Sequence, residues 1–393
     1  MLDRCDTLAG LTEEPGVVTR RFATPALREA GRHVTTWMEA AGMKVHRDAI
    51  GNVIGRAGDP GLPTLLIGSH LDTVRNAGRY DGILGVLVGI ACVELVRDLP
   101  YAIEVLGFAD EEGVRYGTAY LGSSVVAGRF DHAALERRDA DGVRMRDALK
   151  EFGGDPAGLE ASRRDPDDLI GYYEVHIEQG PVLENENLPL GVVSAIAGQT
   201  RATVTFQGQA GHAGTVPMAL RHDALSAAAE WIGVTEATAR GREGLVATIG
   251  ELRIEPGASN VIPAKATLSL DLRHGDDATR AGAREELRDR AGAIAAKRGV
   301  ELDWSIVQET PAVECSRELT DRVSEAVAAL GHPVRRLASG AGHDAAIIST
   351  LAPVSMLFVR CAGGISHNPA EAVTLEDVAA ALEASVRFLE ALR

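Results

Sequence analysis

The segment of residues 68–82, GSHLDTVRNAGRYDG, constrains the fold more than any other part of the sequence. It follows an apolar run that predicts a buried strand at residues 64–68, and it precedes an apolar pattern that predicts a buried helix at 83–96. Within it, His70, Asp72 and Asp81 place imidazole and carboxylate groups where a strand ends and a helix begins. These groups are common metal ligands, and this position is where α/β enzymes bind their ligands, so the segment predicts a metal site.

Charge and cysteine usage exclude several classes of function. The chain has 393 residues and a formal charge of −16, which argues against nucleic acid or an anionic membrane surface as a partner. Its four cysteines form no C-x-x-C pair, and they indicate reduced thiols and a cytoplasmic location. The N-terminus lacks the apolar core of a signal peptide, and the longest apolar stretch is too short to span a bilayer.

The order of the predicted elements indicates two domains. Strands and helices alternate before residue 198 and again after about residue 310, as in a mostly parallel sheet covered by helices. The intervening residues combine strands that alternate at period two with two long helices. We therefore predict a discontinuous α/β catalytic domain of residues 1–197 and 310–393, with a mixed, mostly parallel sheet, interrupted by an α+β domain of residues 198–309. Strand regions are also predicted at residues 44–53, 102–109, 169–178, 200–207, 245–253, 266–273 and 353–359.

Four further clusters of histidine and carboxylate groups follow the first one. They are DEE at residues 110–112, HIEQGP at 176–181, GAGHD at 340–344 and SHNP at 366–369. The clusters recur at predicted strand ends of one sheet, and such ends converge on one crevice. Together they indicate a hydrolase that uses two metal ions to activate water. Because neighbouring side chains point in different directions, one of Glu111 and Glu112 can bind a metal while the other acts as a general base.

Each cluster also has an ordinary structural interpretation. Asp81 fits the N-cap of the helix that begins near Ile83. The three adjacent acids that begin at Asp110 fit a solvated loop, and His176 fits a hydrogen-bonded residue of the core. The sequence leaves these alternatives open for each cluster taken by itself.

The ordered motifs resemble the M20 metallopeptidase superfamily, and within it the hydantoinase/carbamoylase branch of amidohydrolases. The motifs that carry this resemblance are VTRRFATP, GNVIGR, GSHLDTV, YDGILGV, GFADEEGVRYG, HIEQGP, GHAGTVPM, GASNVIP, DLRH, SGAGHDA and SHNPAE. They cover nearly the whole chain. HIEQGP discriminates best, because peptidases of the family more often have an acidic ligand at the position of His176.

The resemblance implies a centre with two divalent metal ions. One metal would be held by His70, Asp81 and His176, and the other by Asp81, Glu112 and His367. Glu111 would be the general base, and Asp72 would orient His70. Members of the family mostly use zinc or manganese, and these ligand types suit cobalt and nickel equally.

By the same resemblance, residues 198–309 form a lid that binds substrate and makes the interface of a homodimer. His212 would reach the scissile carbonyl oxygen, from its own chain or from the partner subunit. Asn260 would donate an amide hydrogen bond, and Arg273 would pair with a substrate carboxylate. Gln199 and Arg201 are further candidates for this pocket. The alternative for Arg273 is an ordinary surface position on a charged strand.

The branch cleaves ureido (N-carbamoyl) amides of small carboxylates and releases ammonia and carbon dioxide. The segments GFADEEGVRYG and GGISHNPAE favour allantoate as the substrate, with N-carbamoyl-L-amino acids and β-ureido acids as alternatives. An M20 aminopeptidase or dipeptidase is a more distant alternative, against which His176 argues. A non-catalytic protein that kept the fold is another, against which Glu111 argues. The sequence has neither the G-x-S-x-G elbow of serine hydrolases nor a P-loop.

Overall fold

A computed structural model describes residues 1–392, and the chain divides into two compact units. The first unit contains Met1–Ser194, Cys315–Leu337 and the residues from Ala341 onward. The second unit contains Ala195–Glu314 and Ala338–Gly340. Within residues 1–392, no helix is both long and apolar enough to cross a lipid bilayer.

The regular elements are numbered in chain order. The helices are α1 (Leu2–Ala9), α2 (Pro25–Ala40), α3 (Ile83–Leu95), α4 (Leu121–Val126), α5 (Met145–Phe152), α6 (Val182–Asn185), α7 (Ala224–Arg240), α8 (Asp277–Arg298), α9 (Arg317–Ala329), α10 (Asp344–Ile348) and α11 (Leu375–Ala391). The strands are β1 (Lys44–Arg47), β2 (Val53–Ala57), β3 (Thr64–His70), β4 (Ala102–Phe108), β5 (Leu169–Ile177), β6 (Leu190–Ile196), β7 (Gly198–Gln207), β8 (Gly211–His212), β9 (Val246–Thr248), β10 (Leu252–Glu255), β11 (Val261–Ile262), β12 (Lys265–His274), β13 (Glu301–Thr310), β14 (Val313–Glu314), β15 (Arg336–Ser339) and β16 (Val354–Val359).

The sheet of the first unit is mixed, as predicted from the sequence. Its strands follow the order β1-β2-β4-β3-β5-β16-β6. The four central strands, β4, β3, β5 and β16, are parallel to one another. On both sides the pairing is antiparallel, through β1 and β2 at one end and β6 at the other. The parallel centre places the carboxyl ends of four strands along one edge of the sheet.

Helix α3 is apolar on every side from Ile83 to Val93, as suits a helix that packs inside the first unit. All of its residues from Ile83 to Val93 are buried, and the helix contacts β3, β5 and α11. Gly85 allows its closest approach to the sheet, since a Cβ atom there would lie 2.2 Å from the carbonyl oxygen of Val175. This contact brings the first turn of α3 against the end of β5, where His176 lies.

Some strand predictions were too coarse. The region 44–53 holds β1, a turn and the first residue of β2, because the carboxylate of Asp48 accepts three backbone N–H groups and turns the chain into an antiparallel hairpin. The region 245–253 holds two short strands, β9 and β10, and both pair with β12. Strand β3 ends at His70, so Asp72 lies beyond it and does not share a strand face with His70.

The second unit contains an antiparallel sheet in the order β10-β12-β7-β13, with β9 also paired to β12. Apolar side chains alternate along β7 and β12 and pack against α7 and α8. Trp231 is fully buried in this core, and its indole N–H donates to the carbonyl of Leu287 over 3.0 Å. The polar side chains of β7 and β12, including Arg201 and Arg273, alternate with these buried positions.

Candidate active site and metal centre

Side chains from separate parts of the first unit converge on Asp81. His70 ends β3, His176 is the next-to-last residue of β5, Glu112 follows β4, and His367 follows β16. Because these four strands are parallel neighbours, their carboxyl ends meet at one edge of the sheet. The structure therefore brings together all five residues that the resemblance implies as metal ligands.

The two oxygens of the Asp81 carboxylate face two different groups of side chains. Oδ1 lies 3.2 Å from Nε2 of His176 and 3.8 Å from Nε2 of His70. Oδ2 lies 3.2 Å from Nε2 of His367, and this nitrogen lies 3.5 Å from Oε1 of Glu112. Within each group, the candidate ligand atoms lie within 4.8 Å of one another. Imidazole nitrogens and carboxylate oxygens in this arrangement fit a pair of divalent ions such as zinc or manganese, with Asp81 between them.

The histidine rings are oriented by contacts on their other nitrogen. Nδ1 of His70 lies 3.1 Å from the carbonyl oxygen of Asp72 and 3.4 Å from its Oδ1. Nδ1 of His176 lies 2.9 Å from the carbonyl oxygen of Ile177. An Nδ1–H that donates to a carbonyl leaves Nε2 with its lone pair, which is the form of histidine that binds a metal.

Two of the structural alternatives left open by the sequence are wrong. Gly82 is the N-cap of α3, and the described residues include no side chain that caps this helix. The carboxylate of Asp81 faces the histidines instead. The segment that contains Asp110 and Glu111 is not a solvated loop, since these residues are only 1% and 9% exposed.

Asp72 connects His70 to the acidic segment after β4. Its Oδ1 accepts the backbone N–H of Glu111 over 2.9 Å, and its Oδ2 accepts that of Glu112 over 3.2 Å. Both oxygens are therefore held, and the same carboxylate lies beside Nδ1 of His70. Asp72 thus fixes the orientation of His70, and it also sets the backbone from which Glu111 and Glu112 project.

The centre holds an excess of buried negative charge. Burial raises the pKa of Glu111 well above its usual value despite the lowering effect of His70, and the neighbouring carboxylates add to the rise. Burial also raises the pKa of Glu112 to about 7. Burial opposes ionisation of Asp81, but hydrogen bonds to His176 and His367 outweigh it and hold the Asp81 pKa well below its usual value. A bound cation would neutralise such a cluster of carboxylates.

Sequence reasoning missed Gln179, Ser366 and Glu371 beside the centre. The amide nitrogen of Gln179 lies 3.2 and 3.3 Å from the two oxygens of Asp81 and 3.1 Å from Oγ of Ser366. Glu371 is buried and contacts the segment that leads into Asp81. The available signal was the motifs themselves, because HIEQGP and SHNPAE contain these residues next to the predicted ligands.

The GAGHD cluster lies behind the centre. His343 is buried, and its ring centroid lies 4.5 Å from that of His176. Burial lowers the pKa of His343 well below its usual value, and the charge of His176 adds to the effect. Asp344 begins α10 and is fully buried, so His343 and Asp344 lie in the interior behind the site, whereas Gly340 and Gly342 are exposed.

His212 and Asn260 lie side by side in the second unit. The short strands β8 and β11 pair so that His212 is opposite Val261, and the N–H of Ala213 donates to the carbonyl oxygen of Asn260 over 3.0 Å. His212 is exposed, and its Nδ1 accepts the N–H of Gly214 over 3.1 Å. The neutral ring therefore carries its proton on Nε2, where it can donate to a carbonyl oxygen.

A second group in this unit surrounds Asp271. Arg273 donates from Nε to Oδ1 over 2.8 Å and from Nη2 to Oδ2 over 3.0 Å. Gln199 and Arg201 also donate to Oδ2, over 2.8 and 3.3 Å. Arg201, Asp271 and Arg273 line a cavity of about 830 Å³. Arg273 is half-buried and held in place, which argues against an ordinary surface position.

Comparison with known proteins establishes the family. The sequence profile of Peptidase family M20/M25/M40 matches residues 66–391. The chain belongs to this family. This M20 protein is 41% identical over 422 residues to allantoate deiminase 1 of Glycine max, covering 98% of this chain and 87% of the relative. It is also 41% identical over 374 residues to an N-carbamoyl-L-amino acid amidohydrolase of Geobacillus stearothermophilus, covering 94% and 91%.

Solved structures agree with the branch predicted from the motifs. A crystal structure of a hydantoinase/carbamoylase family amidase from Burkholderia multivorans matches with a TM-score of 0.91 and 34% identity, covering 99% of this chain and 96% of that one. The predicted resemblance to the hydantoinase/carbamoylase branch is thereby confirmed. This M20 protein is a metal-dependent hydrolase of the class that acts on C–N bonds other than peptide bonds in linear amides.

Proposed function

We propose that this protein is a di-metal amidohydrolase that cleaves the ureido amide of a small carboxylate, with allantoate as the first candidate substrate. The observation that carries the proposal is Asp81, whose two oxygens face two separate groups of candidate ligands. The names of the relatives support the substrate class, and we favour allantoate because of the segments GFADEEGVRYG and GGISHNPAE. N-carbamoyl-L-amino acids are the second candidate, because the N-carbamoyl-L-amino acid amidohydrolase and the allantoate deiminase have the same sequence identity to this chain.

The proposal assigns two divalent metal ions, zinc or manganese, to the five ligands. His70 and His176 would hold one ion, Glu112 and His367 the other, and Asp81 both. When bound, the ions would polarise the ureido carbonyl and make water a stronger nucleophile near neutral pH. Cobalt and nickel also suit these nitrogen and oxygen donors.

The remaining steps depend on proton transfer and charge stabilisation by the protein. Glu111 would take a proton from the attacking water and deliver it to the departing nitrogen, and its position beside His70 and Glu112 suits this role. His212 would donate from Nε2 to the carbonyl oxygen as negative charge develops there. Cleavage of the terminal C–N bond releases ammonia, and the carbamate that remains breaks down to carbon dioxide and the free amine.

The carboxylate of the substrate would be held by groups of the second unit. Arg273 and Arg201 supply positive charge, Asp271 offsets part of it, and Gln199 and Asn260 supply amides. A planar guanidinium can bind a carboxylate through two parallel hydrogen bonds, and the substrate would compete with Asp271 for this edge of Arg273. Such a pocket suits a small acid with a carboxylate, as in allantoate and the N-carbamoyl amino acids.

We further propose a homodimer formed through the second unit and a cytoplasmic location. The edge strand β13 of that unit exposes Ile306 and Val307, which are 42% and 66% accessible and would be covered in a dimer. Cys5, Cys92 and Cys361 are buried free thiols, as in a protein of a reducing compartment.

A substrate panel tests the proposed reaction. Purified protein, stripped of metal and reloaded in turn with Mn²⁺, Zn²⁺, Co²⁺ and Ni²⁺, is incubated with allantoate, several N-carbamoyl-L-amino acids, a β-ureido acid and dipeptides. We expect ammonia release from the ureido compounds, with the highest kcat/KM for allantoate, and no release of amino acids from dipeptides. Metal-free protein is the control and should release no ammonia. Cleavage of dipeptides without turnover of any ureido compound would assign the protein to the peptidases.

Substitution of Arg273 tests the substrate pocket. Arg273→Lys keeps the positive charge but loses the planar fork, so we expect KM to rise about tenfold to a hundredfold with little change in kcat. The matched control is Arg253→Lys on β10. Arg253 is exposed, and within the described residues its only salt bridge is to Glu251, at 2.8 Å. Steady-state kinetics with allantoate separates KM from kcat. An unchanged KM in Arg273→Lys would remove Arg273 from the pocket.

A further inference from the structure

Glu371 connects two segments that each carry a proposed metal ligand. It is 4% exposed and lies in the loop before α11. Its Oε1 accepts the backbone N–H of Tyr80 over 2.7 Å and that of Asp81 over 3.2 Å. The carboxylate of Glu371 therefore holds the main chain at the bridging ligand, and no metal contact is needed for this.

Ser366 extends this connection to the ligand next to it. Its hydroxyl lies 3.2 Å from Oε2 of Glu371 and 3.4 Å from Oδ2 of Asp81, and Ser366 directly precedes His367. Gln179 donates to the same hydroxyl over 3.1 Å, which joins the segment after His176 to the network.

The local sequence provides the space that Glu371 occupies. A Cβ atom at Gly78 would lie 2.3 Å from the carboxyl carbon of Glu371, so a larger residue at position 78 would displace it. The segments that contain Asp81 and His367 need such an anchor, because both residues lie outside every strand and helix. His367 also has a positive φ of 55°, which a non-glycine residue adopts only when its surroundings enforce it.

We propose that Glu371 is a positioning residue that fixes Asp81 and His367 relative to each other and thereby sets the affinity of the metal that these two ligands share. The inference rests on the ligand assignment of the proposed function. The backbone hydrogen bonds to Oε1 hold Asp81, and the hydrogen bond from Ser366 to Oε2 holds the segment of His367. Partners of this kind behind metal ligands typically contribute 10- to 100-fold to metal affinity.

The test measures metal binding directly. Metal-free wild type and Glu371→Ala are titrated with Zn²⁺ or Mn²⁺ against a competing chelator, and the unfolding temperature of the metal-free proteins is recorded. We expect the affinity for one of the two metals to fall about 10- to 100-fold, with a smaller loss for the other. Glu371→Gln keeps an acceptor of similar shape, so its loss should be smaller.

Glu104→Gln is the matched control. Glu104 is also 4% exposed, but it lies on β4 and pairs with Arg56 and Arg164, away from the ligand segments. This change destabilises the fold without touching the metal centre, so both metal affinities should stay within twofold of wild type. An equal loss of metal affinity in Glu104→Gln would show that general destabilisation explains the effect, and the proposal would be wrong.

Ser366→Ala keeps the test decisive if Glu371→Ala does not fold. It removes one hydroxyl, and we expect a smaller loss of affinity at the same metal. If Glu371→Ala folds and its metal affinities equal those of wild type, the positioning role is wrong. If Glu371→Ala does not fold, unchanged metal affinities in Ser366→Ala lead to the same conclusion. Neither result affects the proposed function. A wild-type protein that binds fewer than two metals overturns the proposed function, and with it the premise of this role.

Discussion

Glu111→Gln is expected to lower kcat for the ureido substrate by about 10²- to 10⁴-fold, the usual contribution of a general acid–base residue. The amide cannot take a proton from water and return it to the departing nitrogen. The backbone N–H of residue 111 still donates to Asp72, so the segment keeps its position. We expect two metals per chain and an unchanged KM, measured by elemental analysis and steady-state kinetics.

The neighbouring residue supplies the control for this substitution. Glu112→Gln should lower metal content as well as activity, because Glu112 lies 3.5 Å from His367 in the second ligand group. Glu111→Gln should lower activity alone. Activity within a few-fold of wild type in a metal-loaded Glu111→Gln would exclude Glu111 as the general base.

His212→Ala is expected to lower kcat by about 10²- to 10³-fold, which is the usual effect of removing one hydrogen-bond donor to a developing oxyanion. His212 is exposed and packs into no core, so the fold should tolerate the change. His132→Ala is the control, because His132 is an exposed histidine of the first unit that contacts Glu160. Equal kcat in wild type and His212→Ala would remove His212 from the reaction.

Mixing two inactive variants tests whether His212 acts on the partner subunit. In a heterodimer of Glu111→Gln and His212→Ala chains, one site would combine an intact Glu111 with an intact His212. An equal mixture, unfolded and refolded together, should then regain about a quarter of wild-type activity in a symmetric dimer. A mixture as inactive as its components, with dimers shown by sedimentation, would place His212 in its own chain's site.

The convergence of four of the proposed ligands was predictable, because each of the four lies at the end of, or after, a strand that the sequence pattern identifies. His70, Glu112, His176 and His367 come at or after the buried runs that form β3, β4, β5 and β16. Parallel strands bring such positions together by topology alone. The family and branch follow from the same motifs, and the comparisons confirm them.

Other features depend on contacts that sequence spacing does not encode. A carboxylate before a helix suits an N-cap and a metal ligand equally, and the histidines that lie beside Asp81 come from distant parts of the sequence. Glu371 lies 290 positions from the Asp81 N–H group that it accepts, so no local pattern indicates the contact. The hairpin of β1 and β2 depends on Asp48, whose turn interrupts an otherwise continuous strand pattern.

The place of β16 in the sheet has a consequence for biosynthesis. This strand is the last in chain order, yet it lies between β5 and β6, which both precede the sheet of the second unit in the sequence. During translation β5 and β6 therefore lack their shared neighbour, and open strand edges favour pairing between nascent chains. His367 follows β16, so a chain that stops before β16 also lacks one residue of the proposed second ligand group.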